Sequence, residues 1–236
     1  MAAIFKREFK TFFTSPIGYC VLAVIFAFSG FMFYTSNLIS GSPDLSGVYD
    51  GLFSIILLLV LPILTMRLMS EDKRQKTDQA LLTAPVGLTG IVVGKFLAAL
   101  AVFALAMSIT LVYALIIALR VTPDWMVILG NYVGILLLGG MVIAIGLLIS
   151  SLTESQLIAA IGTFAVSLML IMIDSLAYVL SNTAWLVSVI NFLSVATRYS
   201  DFTTGIISYD NVIFFLSMQA LFLFLTVRIL DRKRWS

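Results

Sequence analysis

The 236-residue chain contains no histidine and a single cysteine, Cys20. Without an imidazole, no side chain has an unperturbed pKa near neutrality to serve as base or metal ligand. One cysteine makes neither an intrachain disulfide nor a cysteine-rich metal site. Charge is scarce as well: 14 Lys and Arg and 12 Asp and Glu make up 11% of the residues and leave a formal net charge of +2. A soluble domain carries about 25% charged residues, and so small a net charge gives no footprint for nucleic acid. What is abundant is apolar, 61% of the chain, against about 45–50% in a soluble domain. That excess has no water-excluded core to fill, so lipid is the main solvent. A cytosolic enzyme, a nucleic-acid reader and a disordered tail are excluded together.

Six apolar stretches approach the roughly 20 residues that a bilayer crossing needs: Ile17–Leu38, Leu52–Met69, Phe96–Leu119, Val127–Ser151, Leu157–Leu180 and Val212–Leu230. The expected architecture is an all-α polytopic membrane protein, one transmembrane domain over residues 1–236. The second and sixth stretches are short, the fourth is long, and Pro62 is expected to kink the second. The first stretch follows 16 charged and aromatic residues and precedes no small-residue cleavage site, so it reads as a span and not as a signal peptide.

The few charges set the expected orientation. With the amino terminus inside, 12 of the 14 Lys and Arg fall inside, and only Arg120 and Arg198 fall outside. The positive-inside rule then predicts that both termini are cytoplasmic. The acidic residues split almost evenly between the two sides, as that rule allows.

The connecting segments have character of their own. In residues 1–16, Ile4, Phe5, Phe9, Phe12 and Phe13 recur at helical spacing, with Lys6, Arg7 and Lys10 on the other side. This predicts an interfacial amphipathic helix, either a simple anchor or a contact surface for a partner. Residues 67–95 form the largest expected cytoplasmic piece, dense in charge at Glu71, Asp72, Lys73 and Arg74. Thr77 or Asp78 would cap a short helix through Leu82, with Leu81 and Leu82 on one face and Pro85 and Gly87 ending it. The competing reading is a solvated loop. Gly94-Lys95 resembles the end of a phosphate-binding loop, but Thr89 and Phe96 stand where that loop needs Gly and Ser or Thr. The chain therefore has no visible nucleotide site. Residues 150–156 predict a tight hairpin with Glu154 as its charge. Residues 181–211 are amphipathic, with Trp185, Leu186, Val189 and Phe192 in their first half, and predict one or two short helices in the outer interface. Trp185, Tyr199 and Tyr209 fit an aromatic belt there.

Two features lie inside the spans. Asp174 is the one acidic residue within a span, about 25 Å along its helix at 1.5 Å per residue. That places it near the outer interface, as a structural partner within reach of Arg198 or as an ion or proton site. Gly130 and Gly134 form a G-x-x-x-G pair for close helix packing, within the chain or between two copies.

The order of these parts resembles the ABC-2 type permeases, the membrane subunits of ATP-binding-cassette transporters. Residues 71–95, EDKRQKTDQALLTAPVGLTGIVVGK, carry that family's run of an acidic residue, a small-polar turn, "LL", "P" and "GK". Residues 6–33 and 199–235 are similar to the branch that holds the gliding-motility permease and the permease of nitrous-oxide-reductase operons. The resemblance implies a non-catalytic subunit that pairs with a second permease copy or homologue. Each half would dock an ATPase subunit that binds ATP and Mg, and this chain would hold no cofactor. Glu71, Asp72, Lys73, Arg74, Asp78, Leu81 and Leu82, within residues 70–90, would form the coupling segment, and Phe5, Lys6, Arg7, Phe9 and Lys10 of the interfacial helix would add a contact. Transport would run as export. The alternatives are a force-transmitting subunit that acts on a periplasmic partner through residues 181–211, and a secondary transporter built on Asp174.

Overall fold

The structure is a computed structural model and describes residues 2–76, 87–179 and 194–235, with side chains in the last helical turns omitted from 174 to 179 and from 233 onward. Every regular element among them is helical: α1 (Ala2–Thr14), α2 (Pro16–Phe33), α3 (Ser46–Ile55), α4 (Leu61–Thr65), α5 (Ser70–Arg74), α6 (Leu88–Met107), α7 (Ile109–Ala118), α8 (Trp125–Leu152), α9 (Gln156–Val179), α10 (Val195–Thr203) and α11 (Tyr209–Trp235). Two π-helical turns, Tyr34–Ile39 and Ile56–Val60, extend α2 and join α3 to α4.

Among the described residues, six stretches are long and apolar enough to cross a membrane: Pro16–Ile39, Ser46–Arg74, Leu88–Ala118, Trp125–Leu152, Gln156–Ile173 and Tyr209–Arg232. All six expected spans are present, but the bounds of the second and third differ by more than a turn, and the sixth, expected to be short, runs 24 residues. The second span is 29 residues long, not short, because it starts at Ser46 and continues through α5. The third starts at Leu88 and not at Phe96. Lys95, taken from sequence as a loop charge, lies inside α6 with 2% of its side chain exposed. A lysine is tolerated there because carboxylates meet it, which no hydropathy pattern reports.

The expected kink at Pro62 takes a particular form. Proline lacks an N–H, and its ring clashes with the carbonyl four residues back, here Leu58. The chain answers with the π-helical turn Ile56–Val60, where the Leu61 N–H reaches Ile56 O. The extra residue in the turn relieves the clash.

The core is centred on α8. In its most apolar stretch 72% of the residues are buried inside the chain, against 17% in the span of α9. Asp124 caps α8, its Oδ1 accepting from the Met126 N–H at 3.1 Å. The helix packs on α6, α9, α10 and α11. Gly146 allows α4 to approach, since a Cβ there would overlap Thr65. Buried hydrogen bonds pin the other spans: Gln219 Nε2 to Leu137 O at 2.9 Å, Tyr49 Oη to Thr110 Oγ1 at 2.8 Å and Tyr132 Oη to Ala104 O at 3.2 Å. Where lipid surrounds the helices, such bonds hold what the hydrophobic effect does not. The outward faces carry large apolar side chains such as Phe31, Met169 and Phe224.

Candidate coupling site

The site begins on α1. Ile4, Glu8 and Phe12 share a face at four-residue spacing; Ile4 and Phe12 are buried, and α1 packs on α6 and α2. The aromatic residues of the next register, Phe5, Phe9 and Phe13, stack along the helix with ring centroids 5.9 and 5.1 Å apart. Lys6 and Lys10 are exposed. Glu8 therefore sits in the packed face, among apolar residues, and needs a cation.

Lys95 of α6 supplies it. Its Nζ lies 3.1 Å from Glu8 Oε1 and 2.7 Å from Asp72 Oδ2 of α5. Arg7 Nη2 lies 2.5 Å from Glu8 Oε1. Burial alone would lower the Arg7 pKa, but the hydrogen bond and charge of Glu8, with the charge of Asp72, raise it overall. Beside this triad, Arg67 at the foot of the second span pairs with Glu71, Nε to Oε2 at 2.8 Å. Arg67 also donates to Ser15 Oγ at 2.5 Å and lies over the Phe12 ring at 5.8 Å. Three cations and three carboxylates thus balance around a cavity of about 200 Å³. Balance matters because a buried charge without a partner costs several kcal/mol, on the order of 3–5.

A second set of bonds ties α5 to α8. Ser150 Oγ accepts from the N–H groups of Met69 and Ser70, both at 3.0 Å. These groups open α5 after the break at Met66–Met69 and have no carbonyl one turn back within a continuing helix. Lys73 is buried and donates to Ser151 O in the last turn of α8, where unsatisfied carbonyls favour a cation. Lys76 then takes a positive φ of 57° and ends the helical path.

Of the residues expected in the coupling segment, Glu71 and Asp72 line this cluster, Lys73 is turned to Ser151 of α8, and Arg74 is exposed. Asp78, Leu81 and Leu82 lie outside the described residues. The cluster therefore forms the base from which residues 77–86 depart. Glu8, Arg67, Lys95 and Ser150 were missed as site residues by sequence reasoning. A signal existed for Glu8: it is the sole acidic residue before Asp44 and falls on the apolar face of an amphipathic helix.

The remaining candidates sit elsewhere. Gly130 and Gly134 pack within the chain: a Cβ at Gly130 would lie 2.9 Å from Phe202 O, and one at Gly134 2.7 Å from Phe202 Cβ. The glycine pair thus seats α10. Of the amphipathic segment expected over residues 181–211, residues 194–211 are described, and Ser194 caps α10 through the Thr197 N–H. Burial, with Tyr49 and the Asp50 carboxylate nearby, pushes the pKa of the Tyr199 phenol upward, so it stays protonated. Arg198 donates to Asn211 Oδ1 at 3.0 Å and lies 4.2 Å over the Phe214 ring. The side chain of Asp174, and residues 181–193 with Trp185, lie outside the described residues.

Six apolar spans around a glycine-lined central helix define a multi-pass all-α membrane protein. A family model described as ABC-2 family transporter protein matches residues 2–235. The chain belongs to that family, and so is a membrane component of an ATP-binding-cassette transporter, a class whose permeases are generally non-catalytic. Comparison with curated proteins gives no match.

Proposed function

We propose that this chain is the permease subunit that receives the stroke of a separate ATPase subunit at residues 70–90 and passes it into the membrane helices. The observation that supports this reading most is the anchoring of α5. It immediately precedes residues 77–86 and is tied to α1 and α6 through Glu8, Asp72 and Lys95, and to α8 through Ser150 and Ser151. A displacement of α5 is thereby shared by three other helices. ATP and Mg belong to the partner ATPase, both termini face the cytoplasm of a bacterial inner membrane, and a second permease copy completes the pathway. Export is the direction proposed, on the sequence resemblance alone.

Co-purification with an ATP-binding-cassette ATPase subunit tests the assignment. Arg74→Ala, Asp78→Ala and Leu81→Ala together are expected to abolish capture of the ATPase while the permease keeps its thermal stability. Full capture by that triple variant would contradict the coupling assignment. ATP-dependent passage of solute in reconstituted vesicles is expected. A tight periplasmic complex with no passage would favour the force-transmitting alternative instead.

A further inference from the structure

The largest cavity among those described lies at the opposite end of the bundle from α1. The first span starts beside Arg67 at Pro16 and ends at Ile39; the third starts near Lys95 and ends at Ala118. Their far ends, with the loop between them and α3, enclose about 590 Å³. Phe33, Asn37, Leu38, Pro43, Ile116 and Arg120 line it. The site is built from two spans that are fixed to each other: Phe33 stacks on Tyr113 with centroids 4.5 Å apart, and Ser29 Oγ lies 3.1 Å from Tyr113 Oη.

Three properties define what fits. First, the walls and rim are apolar, and the rim stays exposed: Leu119 is 83% exposed, and Leu38 and Val121 are exposed beside it. An apolar rim of this kind, at the ends of two membrane-crossing helices, suits a lipid acyl chain. Second, one cation stands at it. Arg120 is exposed and makes no ion pair among the described residues. Two carboxylates of the neighbouring loops are engaged by backbone N–H groups, Asp44 by that of Ser46 and Asp124 by that of Met126. Third, one buried acceptor is unused. Asn37 is 5% exposed, and its Nδ2 donates to Ser42 O and Asp44 O, both at 2.8 Å. Its Oδ1 has no hydrogen-bond partner among the described residues. Buried amide oxygens are rarely left so. The π-helical turn Tyr34–Ile39 carries Asn37 to this position, and such turns are frequent at functional sites.

We propose that this cavity binds a glycerophospholipid whose headgroup bears a hydrogen-bond donor. The phosphate sits on the Arg120 guanidinium, the planar fork that suits phosphate oxygens. The headgroup ammonium or hydroxyl donates to Asn37 Oδ1, and an acyl chain runs along Phe33 and Ile116. The site needs only that the chain spans a membrane, and it stands or falls independently of the ATPase reading.

The test is thermal protection of the detergent-purified full chain by dioctanoyl phosphatidylglycerol. Half-saturation is expected to shift upward about tenfold in Arg120→Gln, the size of one charge-assisted contact. Ile116→Trp, which fills the cavity at an exposed position, is expected to lose the protection. Dioctanoyl phosphatidylcholine, which lacks a headgroup donor, should protect less, and Lys6→Gln at the far end should leave the response unchanged. Glycerol phosphate protecting as well as the lipid would reveal an anion site and overturn the proposal. So would equal lipid protection in wild type, Arg120→Gln and Ile116→Trp.

Discussion

Lys95 is the residue on which the proposed coupling site turns. It holds two carboxylates from two other helices inside a packed face, so its removal leaves both without a cation. Lys95→Met is expected to lower stability by about 3 kcal/mol, read as a fall in melting temperature. The triple variant with Glu8→Gln and Asp72→Asn should be more stable than Lys95→Met alone, because neutral amides need no ammonium. If the triple variant is as unstable as the single one, the cluster is not held by charge. Gly134 makes a steric prediction of the same kind. Gly134→Val should destabilise the fold by about 1–3 kcal/mol through overpacking against Phe202, and Phe202→Ala should suppress most of that loss. A harmless Gly134→Val would remove the close approach of α10 to α8 from the account.

Among the elements, α1 is the one whose role the structure redefines. Its aromatic ladder and exposed lysines read correctly as an amphipathic helix, but its buried face is keyed to α6 through Glu8. Glu8→Gln is expected to speed amide hydrogen exchange across Ala2–Thr14 while leaving α8 protected; unchanged exchange in α1 would mean that apolar contacts alone hold it. The spans were legible in the sequence because bilayer thickness imposes a length that hydropathy reports directly. Their ends were not. A lysine such as Lys95 reads as a loop until its partners are known, and those partners lie at residues 8 and 72, beyond any local window. The π-helical answer to Pro62 was hidden for a different reason. Hydropathy and proline position fix where a helix is disturbed, not which hydrogen-bond register relieves it. The same holds at Tyr34–Ile39, where the register brings Asn37 to its cavity. The glycine pair was legible as a packing face, but its occupant, Phe202, is 72 residues distant from Gly130 in the chain.

For the whole molecule, the account joins a topology to a path for force. The topology is testable with the chain's lone cysteine replaced. In a Cys20→Ser background, Lys6→Cys and Arg120→Cys should react with a membrane-impermeant maleimide from opposite sides of sealed vesicles, since an odd number of spans separates them. Reaction from the same side would remove the six-span arrangement. The proposed path for force enters at residues 70–90 and runs from α5 through a charge-balanced cluster and two serines into α1, α6 and α8. ATP turnover by the reconstituted permease–ATPase complex tests it most directly, using the triple variant Glu8→Gln, Asp72→Asn and Lys95→Met. The account predicts that this variant still captures the ATPase but stimulates its turnover about fivefold less than the wild type, or weaker still, a coupling of about 1 kcal/mol or more. Wild-type stimulation from a folded, ATPase-bound triple variant would contradict it.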